Sequence, residues 1–251
     1  FVDFMRVLVP MAGDDTTPEG EQVNIYGNHV GSWNFAATAY LNRWKVKIYY
    51  EHYFDDHSQM FFQYGRWKDG HIGLEITFPK NRFIDTFVYE GLGTKDQTGP
   101  MLYDSFWGEF EEQISAKDNY YNHYLYQGWQ HWGMGIGNPL LPGPIYNKNG
   151  QITFISNRVL AHHIGFCGSP CQSLSYRMLL SYSRHWGTYD NPLNEIKKQF
   201  NSLFEVTYAP QQLKGWSFTV SGAMDRGNLL GNNYGGMLVI RKQGIIKSGN
   251  K

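Results

Sequence analysis

The chain has 251 residues, of which 22 are Lys or Arg and 22 are Asp or Glu, so its formal net charge is zero. This balance excludes the basic field by which proteins attract nucleic acid, and no apolar run reaches the roughly 18 residues of a membrane-spanning helix. Tyr, Phe and Trp make up 17% of the chain. Tyr and Trp suit boundaries between apolar and wet surroundings, such as membrane interfaces and sugar sites.

Ten stretches of the chain are predicted to be β-strands, from their composition and their alternation of apolar and polar residues. In chain order they are 1–9, 31–41, 43–52, 71–78, 82–90, 152–166, 174–186, 201–209, 216–224 and 233–242. The third is the clearest, because one set of alternate side chains is apolar and the other is mostly charged. The two sets are Trp44, Val46, Ile48 and Tyr50 against Lys45, Lys47 and Glu51.

The predicted connections alternate between short and long. Short turns are predicted at 41–43, 79–81, 168–173 and 210–215, and longer connections at 54–70, 91–150, 187–200 and 225–232. An antiparallel chain reverses at every strand, so the short turns gather at one end of the sheet, as in outer-membrane barrels. The predicted fold is therefore all-β, an antiparallel up-and-down transmembrane barrel over residues 1–251. A soluble jelly roll or Greek key is the alternative.

Several stretches resemble the C-terminal part of the Wzi family of outer-membrane capsule-assembly proteins. They are NIYGNHVGSWNF (24–35), WKVKIYYEHYFDD (44–56), GLEIT (73–77), YYNHYLYQGW (120–129), GMGIGNPL (133–140), NRVLAHHIGF (157–166), LLSYSRHWGTY (179–189) and DRGNLLGNNYG (225–235). The resemblance implies a many-stranded barrel in the outer membrane of a Gram-negative bacterium, with a periplasmic helical bundle. It also implies lectin-like, non-catalytic binding of capsular polysaccharide at the cell surface.

Two departures from the family pattern are visible. The helical bundle does not appear in this sequence, and the ten predicted strands are fewer than those of the family barrel. We therefore expect the chain to be the C-terminal piece of a longer precursor. The implied partners are capsular or other surface polysaccharide, outer-membrane lipid and other outer-membrane proteins, with no nucleic acid and no cofactor. The alternative functions are a general porin or accessory barrel of a transport complex, and a soluble all-β carbohydrate-active enzyme.

The alternation in residues 43–52 predicts which side of a barrel wall each side chain faces. The set that includes Trp44 and Ile48 is expected to face lipid, because a lysine near the bilayer midplane costs roughly 2–4 kcal/mol. The charged set then faces the lumen. The residues predicted to line the lumen and to form ion pairs between strands are Lys45, Lys47, Glu75, Arg177 and Glu205.

The long connection 91–150 is the predicted glycan-binding element. Its aromatic content is well above the average of the chain, and aromatic rings complement the apolar C–H faces of sugars. The candidate residues are Tyr103, Trp107, Tyr120, Tyr121, Tyr124, Tyr126, Trp129 and Trp132. The alternative is a plug that folds into the lumen, with the aromatic residues as its own core and with residues 120–137 as an extra hairpin.

Patterns for catalysis and metal binding are weak in this sequence. Ser183 and His185 share a strand face, which would suit an outer-membrane lipase, and Glu75 and Glu90 are carboxylates that a glycosidase would need. The nucleophile motif G-x-S-x-G does not occur. Two adjacent histidines, at 162 and 163, point to opposite faces of a strand and do not chelate one ion together. No catalytic or metal-binding residue is assigned.

The two cysteines, Cys167 and Cys171, enclose a Gly-Ser-Pro sequence that favours a turn. Such a turn would bring their Cα atoms within the range of a disulfide. The sequence leaves open a local disulfide, which would imply an oxidising compartment, or two free thiols.

Overall fold

The computed structural model describes residues 1–8, 11, 13–17, 22, 29–54, 69–97, 119–123 and 129–244. One short helix, α1 (Val2–Leu8), and a 3-10 turn at Pro144–Tyr146 accompany the strands. The strands are β1 (Gly31–Leu41), β2 (Trp44–Phe54), β3 (Gly70–Thr77), β4 (Thr86–Gly93), β5 (Gln130–His131), β6 (Met134–Gly135), β7 (Val159–Cys171), β8 (Leu174–Gly187), β9 (Pro192–Tyr208), β10 (Trp216–Gly227) and β11 (Asn233–Lys242). No helix in this described part is long and apolar enough to cross a membrane.

Nine strands form one antiparallel sheet in which each strand pairs with its neighbours along the chain. The order is β1-β2-β3-β4-β7-β8-β9-β10-β11. The short strands β5 and β6 pair with each other, as a minimal hairpin within the predicted segment 120–137. The prediction of an all-β, antiparallel, up-and-down fold is confirmed at this level. Within the described residues the sheet is open, since no pairing joins β1 to β11.

The register gives the sheet two chemically different faces. Ile48 lies directly opposite Ala37 on β1 and Leu74 on β3. Three residues further along β2, Glu51 lies opposite His71. We call the face that carries Ile48 the apolar face, and the face that carries Glu51 the polar face. Since side chains alternate along a strand, a slip of one residue would exchange the two faces.

The side chains of the apolar face are exposed in the middle of the sheet. Ile48 is 55% exposed, Val220 is 61% exposed and Leu238 is 65% exposed. Aromatic residues lie towards both ends of the strands on this face, with Trp44 at the tight-turn end and Trp33 at the other. Charged residues of the apolar face, among those described, are Arg184, Arg226 and Lys242 near strand ends and Lys198 within the long strand β9, where it lies opposite Arg184.

The buried core lies on the polar face, at the end of the sheet where the long connections emerge. Side chains of the connection between β4 and β7 pack there against the strands. The cluster contains Leu92, Tyr121, Leu141, Phe154, Val159 and Ala161. This core is small, because it covers only one end of the sheet.

The first predicted strand, 1–9, is wrong, because Val2–Leu8 forms the helix α1. Asp3 lies in the first turn and Arg6 in the last turn of that helix, where each charge interacts favourably with the helix dipole. Their side chains also form an ion pair of 3.4 Å at the i,i+3 spacing of a helix. The run of apolar residues was β-rich in composition without having a strand period.

The predicted long connection at 187–200 is also wrong. β9 begins at Pro192 and runs for 17 residues, so that only residues 188–191 connect it to β8. Gly187 has a φ of +86°, which a glycine adopts readily and which allows the tight reversal. The polar composition of 192–200 concealed the strand. Two long connections remain, 55–69 and 94–158, and both leave the same end of the sheet.

The strand predicted at 152–166 begins later, at Val159, and extends to Cys171. Both cysteines therefore lie on β7, with Cys167 opposite Arg177 and Cys171 opposite Leu174. The two thiols are free, and an extended strand holds them too far apart for a disulfide.

Candidate functional site

A cavity of about 860 Å³ lies between the polar face and the described part of the connection from β4 to β7. The strands supply one wall, which is polar. The connection supplies the other wall, which includes Tyr121, Pro142 and Tyr146. The cavity is within the size range of pockets that hold small ligands.

Two glutamates bracket a histidine on the strand wall of this cavity. His71 Nδ1 lies 3.8 Å from Glu51 Oε2, and His71 Nε2 lies 3.4 Å from Glu90 Oε1. The hydroxyl of Ser32 donates a hydrogen bond of 2.6 Å to Glu51. The hydroxyl of Tyr49 donates to Glu90. Each carboxylate therefore already accepts a hydrogen bond from a hydroxyl group, which is the interaction that a sugar hydroxyl would also offer.

At the same level of the sheet, a line of polar side chains continues from β4 to β10. Glu90 lies opposite His163 on β7, and His163 Nδ1 lies 2.6 Å from Ser181 Oγ on β8. Asn201 on β9 then donates a hydrogen bond of 2.7 Å to Asp225 on β10. We call this line the polar row: Glu51, His71, Glu90, His163, Ser181, Asn201 and Asp225. It assembles donors and acceptors from seven adjacent strands.

The predicted Ser183–His185 pair is in contact. His185 Nε2 lies 3.0 Å from Ser183 Oγ, and both residues are buried at the base of the cavity. Hydrolases orient such a histidine through its second ring nitrogen. Among the described residues, none hydrogen-bonds to His185 Nδ1. The geometry supplies two of the three groups of a serine hydrolase.

A buried carboxylate anchors the connection that roofs the cavity. Asp69, just before β3, accepts hydrogen bonds from the backbone N–H of Asp96 at 2.7 Å and from the hydroxyl of Tyr120 at 2.9 Å. The N–H of Gln97 donates to the same carboxylate. Burial raises the pKa of Asp69, and the hydrogen bonds from the two backbone N–H groups oppose that effect. No sequence pattern pointed to this anchor, because its members come from separate connections.

A second set of hydrogen bonds holds the end of the same connection. Asn157 is fully buried and donates to the carbonyl of Tyr120 at 2.9 Å and to the side chain of Asn119 at 2.6 Å. The hydroxyl of Thr94 donates to the carbonyl of Asn157 at 2.6 Å. These hydrogen bonds tie the two ends of the long connection together.

The predicted glycan-binding aromatics have different environments. Tyr120 and Tyr121 are buried at 5% and 7% exposure, so their rings belong to the packed roof. Trp129 is half-buried and stacks near Tyr121, with the ring centroids 6.2 Å apart. Trp132 is 83% exposed at the tip of the β5–β6 hairpin. The remaining candidates lie outside the described residues: Tyr103, Trp107, Tyr124 and Tyr126.

The five charged residues predicted for the lumen all lie on the polar face, nearer the tight-turn end than the cavity. Lys45 and Glu75 form an ion pair of 3.6 Å between β2 and β3. Arg177 and Glu205 form another of 3.4 Å between β8 and β9. Lys47 lies opposite Glu75 in the register. These residues pair across strands and form no part of the cavity wall.

No group of three or more metal-ligating side chains occurs in the described part of the chain. The adjacent histidines lie on different faces, since His162 lies 2.8 Å from the hydroxyl of Tyr89 on the apolar face and His163 belongs to the polar row.

No protein-family model, no curated protein and no solved structure matches this chain.

Proposed function

We propose that this chain forms part of the wall of an outer-membrane β-barrel that holds surface polysaccharide and catalyses no reaction. The observation that carries the membrane assignment is the exposed apolar face, which lies opposite a face of charged and polar side chains. A soluble sheet would bury its apolar face against a second layer. Here Val220 and Leu238, directly opposite each other, are both more than half exposed.

The height of the apolar face supports the same assignment. On β8 the apolar face extends from Leu174 to Arg184, and the ten residue steps between them span about 33 Å along a strand. At the usual barrel tilt of about 40° this is about 25 Å along the membrane normal, the height of the apolar band of such barrels. Arg184 then lies at the interface with water, where its charge is tolerated.

The cavity supports the assignment of polysaccharide as the ligand. Sugar rings offer hydroxyls to carboxylates and amides and offer C–H faces to aromatic rings. Glu51, Glu90 and Asn201 supply the first kind of contact, and Tyr146 supplies the second. None of the described lining residues is a lysine or an arginine, so the cavity favours neutral sugars over acidic ones. The resemblance to the Wzi family independently implies surface polysaccharide.

Two measurements test this proposal. The purified protein should require detergent and should migrate on a gel differently before and after boiling; solubility in plain buffer would contradict the membrane assignment. Glu51→Gln keeps the shape of the side chain and removes its charge, and should weaken binding of the cell's own polysaccharide by about tenfold, the loss of one charged hydrogen bond. Glu75→Gln, on the same face but outside the cavity, is the matched control. Equal binding by both variants would contradict the cavity site.

The contact between Ser183 and His185 favours ester hydrolysis as a second candidate function. In that case Ser183 would act as the nucleophile and His185 as the base. Ser183→Ala would then abolish hydrolysis of a chromogenic acyl ester. A wild-type protein without esterase activity would exclude this candidate.

A further inference from the structure

We infer that an apolar hollow beside the cavity binds an acyl chain, and that the polysaccharide held in the cavity carries this chain through an ester bond. The hollow has a volume of about 320 Å³ and lies on the polar face, across β4, β7 and β8. The carrier of the chain rests on the proposed function, because it is a further part of the same ligand. The hollow itself is a separate feature of the sheet.

A row of apolar residues and glycines crosses the polar face directly beside the polar row. Two residues from Glu90 along β4, Val88 lies opposite Gly165 on β7, and Gly165 lies opposite Leu179 on β8. We call this line the apolar row: Val88, Gly165, Leu179, Leu203, Ala223 and Gly235. It lies about 7 Å from the polar row, the length of two residues along a strand. The polar face therefore offers apolar contacts beside its hydrogen-bonding groups.

The glycine at position 165 leaves the space that forms the hollow. An added Cβ at Gly165 would lie 3.2 Å from the side chain of Leu179 and 3.8 Å from that of Val88. The missing side chain thus leaves a depression between two apolar neighbours. The φ of Gly165 is outside the left-handed region, so the backbone does not require glycine at this position. Leu179 is 39% exposed, so this part of the row is open to a ligand.

The hollow and the cavity share one wall. Glu90, His163 and Ser181 line both spaces, so a single ligand can extend from one into the other. At the opposite end of the hollow, Arg177 is held by its ion pair with Glu205. A sugar in the cavity would form hydrogen bonds with the polar row, and an attached apolar group would displace water from the hollow.

The size of the hollow favours an acyl chain over an acetyl group. Its volume is about ten times the roughly 30 Å³ that one water molecule occupies in the liquid. An acetyl group would leave most of this space to water, whereas a longer hydrocarbon chain would contact Val88 and Leu179 along its length. Each methylene group that is buried should raise the affinity about fourfold.

Protection of the Cys167 thiol reports whether the hollow is occupied, because Cys167 is part of its lining. The experiment uses protein with Cys171→Ser, folded into lipid vesicles. A small water-soluble thiol reagent modifies Cys167 in the presence of methyl, butyl or hexyl glucoside, none of which is an ester that a hydrolase would consume. Hexyl glucoside should protect at a concentration about 16-fold lower than butyl glucoside, fourfold for each added methylene group. Methyl glucoside should give no protection at these concentrations.

Two glycine variants locate the effect. Gly165→Val fills the hollow and should abolish the dependence of protection on chain length. Gly235→Val lies in the same apolar row on β11, where nothing lies within 4 Å of an added Cβ, and should leave that dependence unchanged. Equal protection by the three glucosides, or the same dependence in Gly165→Val as in the wild-type protein, would overturn the inference. So would a Cys167 that does not react without a probe, because another part of the protein would then fill the hollow.

The cell's own polysaccharide tests the carrier of the chain. Native polysaccharide should protect Cys167, and mild alkali, which cleaves esters, should remove this protection. Protection that survives alkali would overturn an ester-linked chain as the occupant. Failure of the proposed function is a different result, in which hexyl glucoside protects Cys167 while Glu51→Gln binds the polysaccharide as tightly as the wild-type protein does.

Discussion

Replacing Ile48 with lysine tests which medium meets the apolar face. Ile48 is more than half exposed, and its nearest neighbours across the strands are Ala37 and Leu74. In water, a lysine at such an exposed position would change the free energy of unfolding by no more than about 0.5 kcal/mol. In a bilayer, the same change places an ammonium group in hydrocarbon.

The position of Ile48 along β2 sets the size of the expected effect. Trp44 is four residues away and Tyr50 is two residues away in the other direction, which corresponds to about 13 Å and about 7 Å along the strand. Ile48 therefore lies between two aromatic residues on the apolar face of its strand, Trp44 and Tyr50. A lysine there should cost about 2–4 kcal/mol, the value for the interior of the bilayer, reduced somewhat if the side chain reaches towards Tyr50.

Two variants provide the controls for this experiment. Val239→Lys introduces the same charge on the polar face, opposite Thr219, and should change the unfolding free energy by less than about 0.5 kcal/mol. Lys47→Ile removes a charge from the polar face and should also be tolerated. Urea titrations of protein folded into lipid vesicles measure all three. If Ile48→Lys and Val239→Lys fold with equal stability, the apolar face does not contact lipid.

Three further predictions concern packing, pH and ion pairs. Gly73→Val should destabilise the sheet by about 1–3 kcal/mol, because an added Cβ would lie 2.0 Å from the ring of Tyr49; urea unfolding measures it. Because the pKa of Asp69 is raised, the folded state holds the carboxyl proton more tightly than the unfolded state does. The free energy of unfolding should therefore fall as pH rises through the pKa of Asp69 in the folded state. Asp69→Asn should remove this dependence on pH. Breaking the partly exposed Arg177–Glu205 pair should cost at most about 1 kcal/mol in a double-mutant cycle.

Each of these predictions has an outcome that contradicts its reasoning. Gly222→Val is the control for the first, because nothing lies within 4 Å of its added Cβ; equal losses for both glycines would mean that the contact with the tyrosine ring is unimportant. If the unfolding free energy of Asp69→Asn depends on pH as strongly as that of the wild-type protein, Asp69 is not the source of this dependence. A coupling energy well above 1 kcal/mol for the Arg177 pair would indicate a buried pair rather than a solvated one.

The alternation of apolar and polar residues explains which parts of the fold could be predicted from the sequence. β2, β3, β8 and β10 alternate clearly, so their existence and facing followed from the sequence, as did the antiparallel order of neighbours. The first segment was predicted wrongly because its apolar residues fit a helix as well as a strand, and the ion pair between Asp3 and Arg6 favours the helix. The start of β9 was predicted wrongly because Glu195 and Lys197 make it resemble a loop, although this part of the strand pairs with the end of β8 as far as Pro192.

The candidate site was only partly predictable, for a different reason. Glu90, His163 and Ser181 are far apart in sequence, and only the register between strands aligns them. Sequence reasoning placed the glycan site in the aromatic connection, since aromatic density is visible in a linear sequence. Two of those rings, Tyr120 and Tyr121, are buried in the packed connection, and Tyr121 also lines the cavity, because a long connection needs a core of its own before it can cover a cavity.

One register determines both faces of this sheet, and this links the membrane assignment to the site. The pairing that places Ile48 beside Leu74 also places Glu51 beside His71. A one-residue slip between β2 and β3 would move the charged side chains to the apolar face and would break the polar row at the same step. The cost of charge in hydrocarbon therefore also selects the register that aligns the row. Natural variation in the cavity is accordingly expected to replace one polar residue by another and to leave the alternation of the strands unchanged.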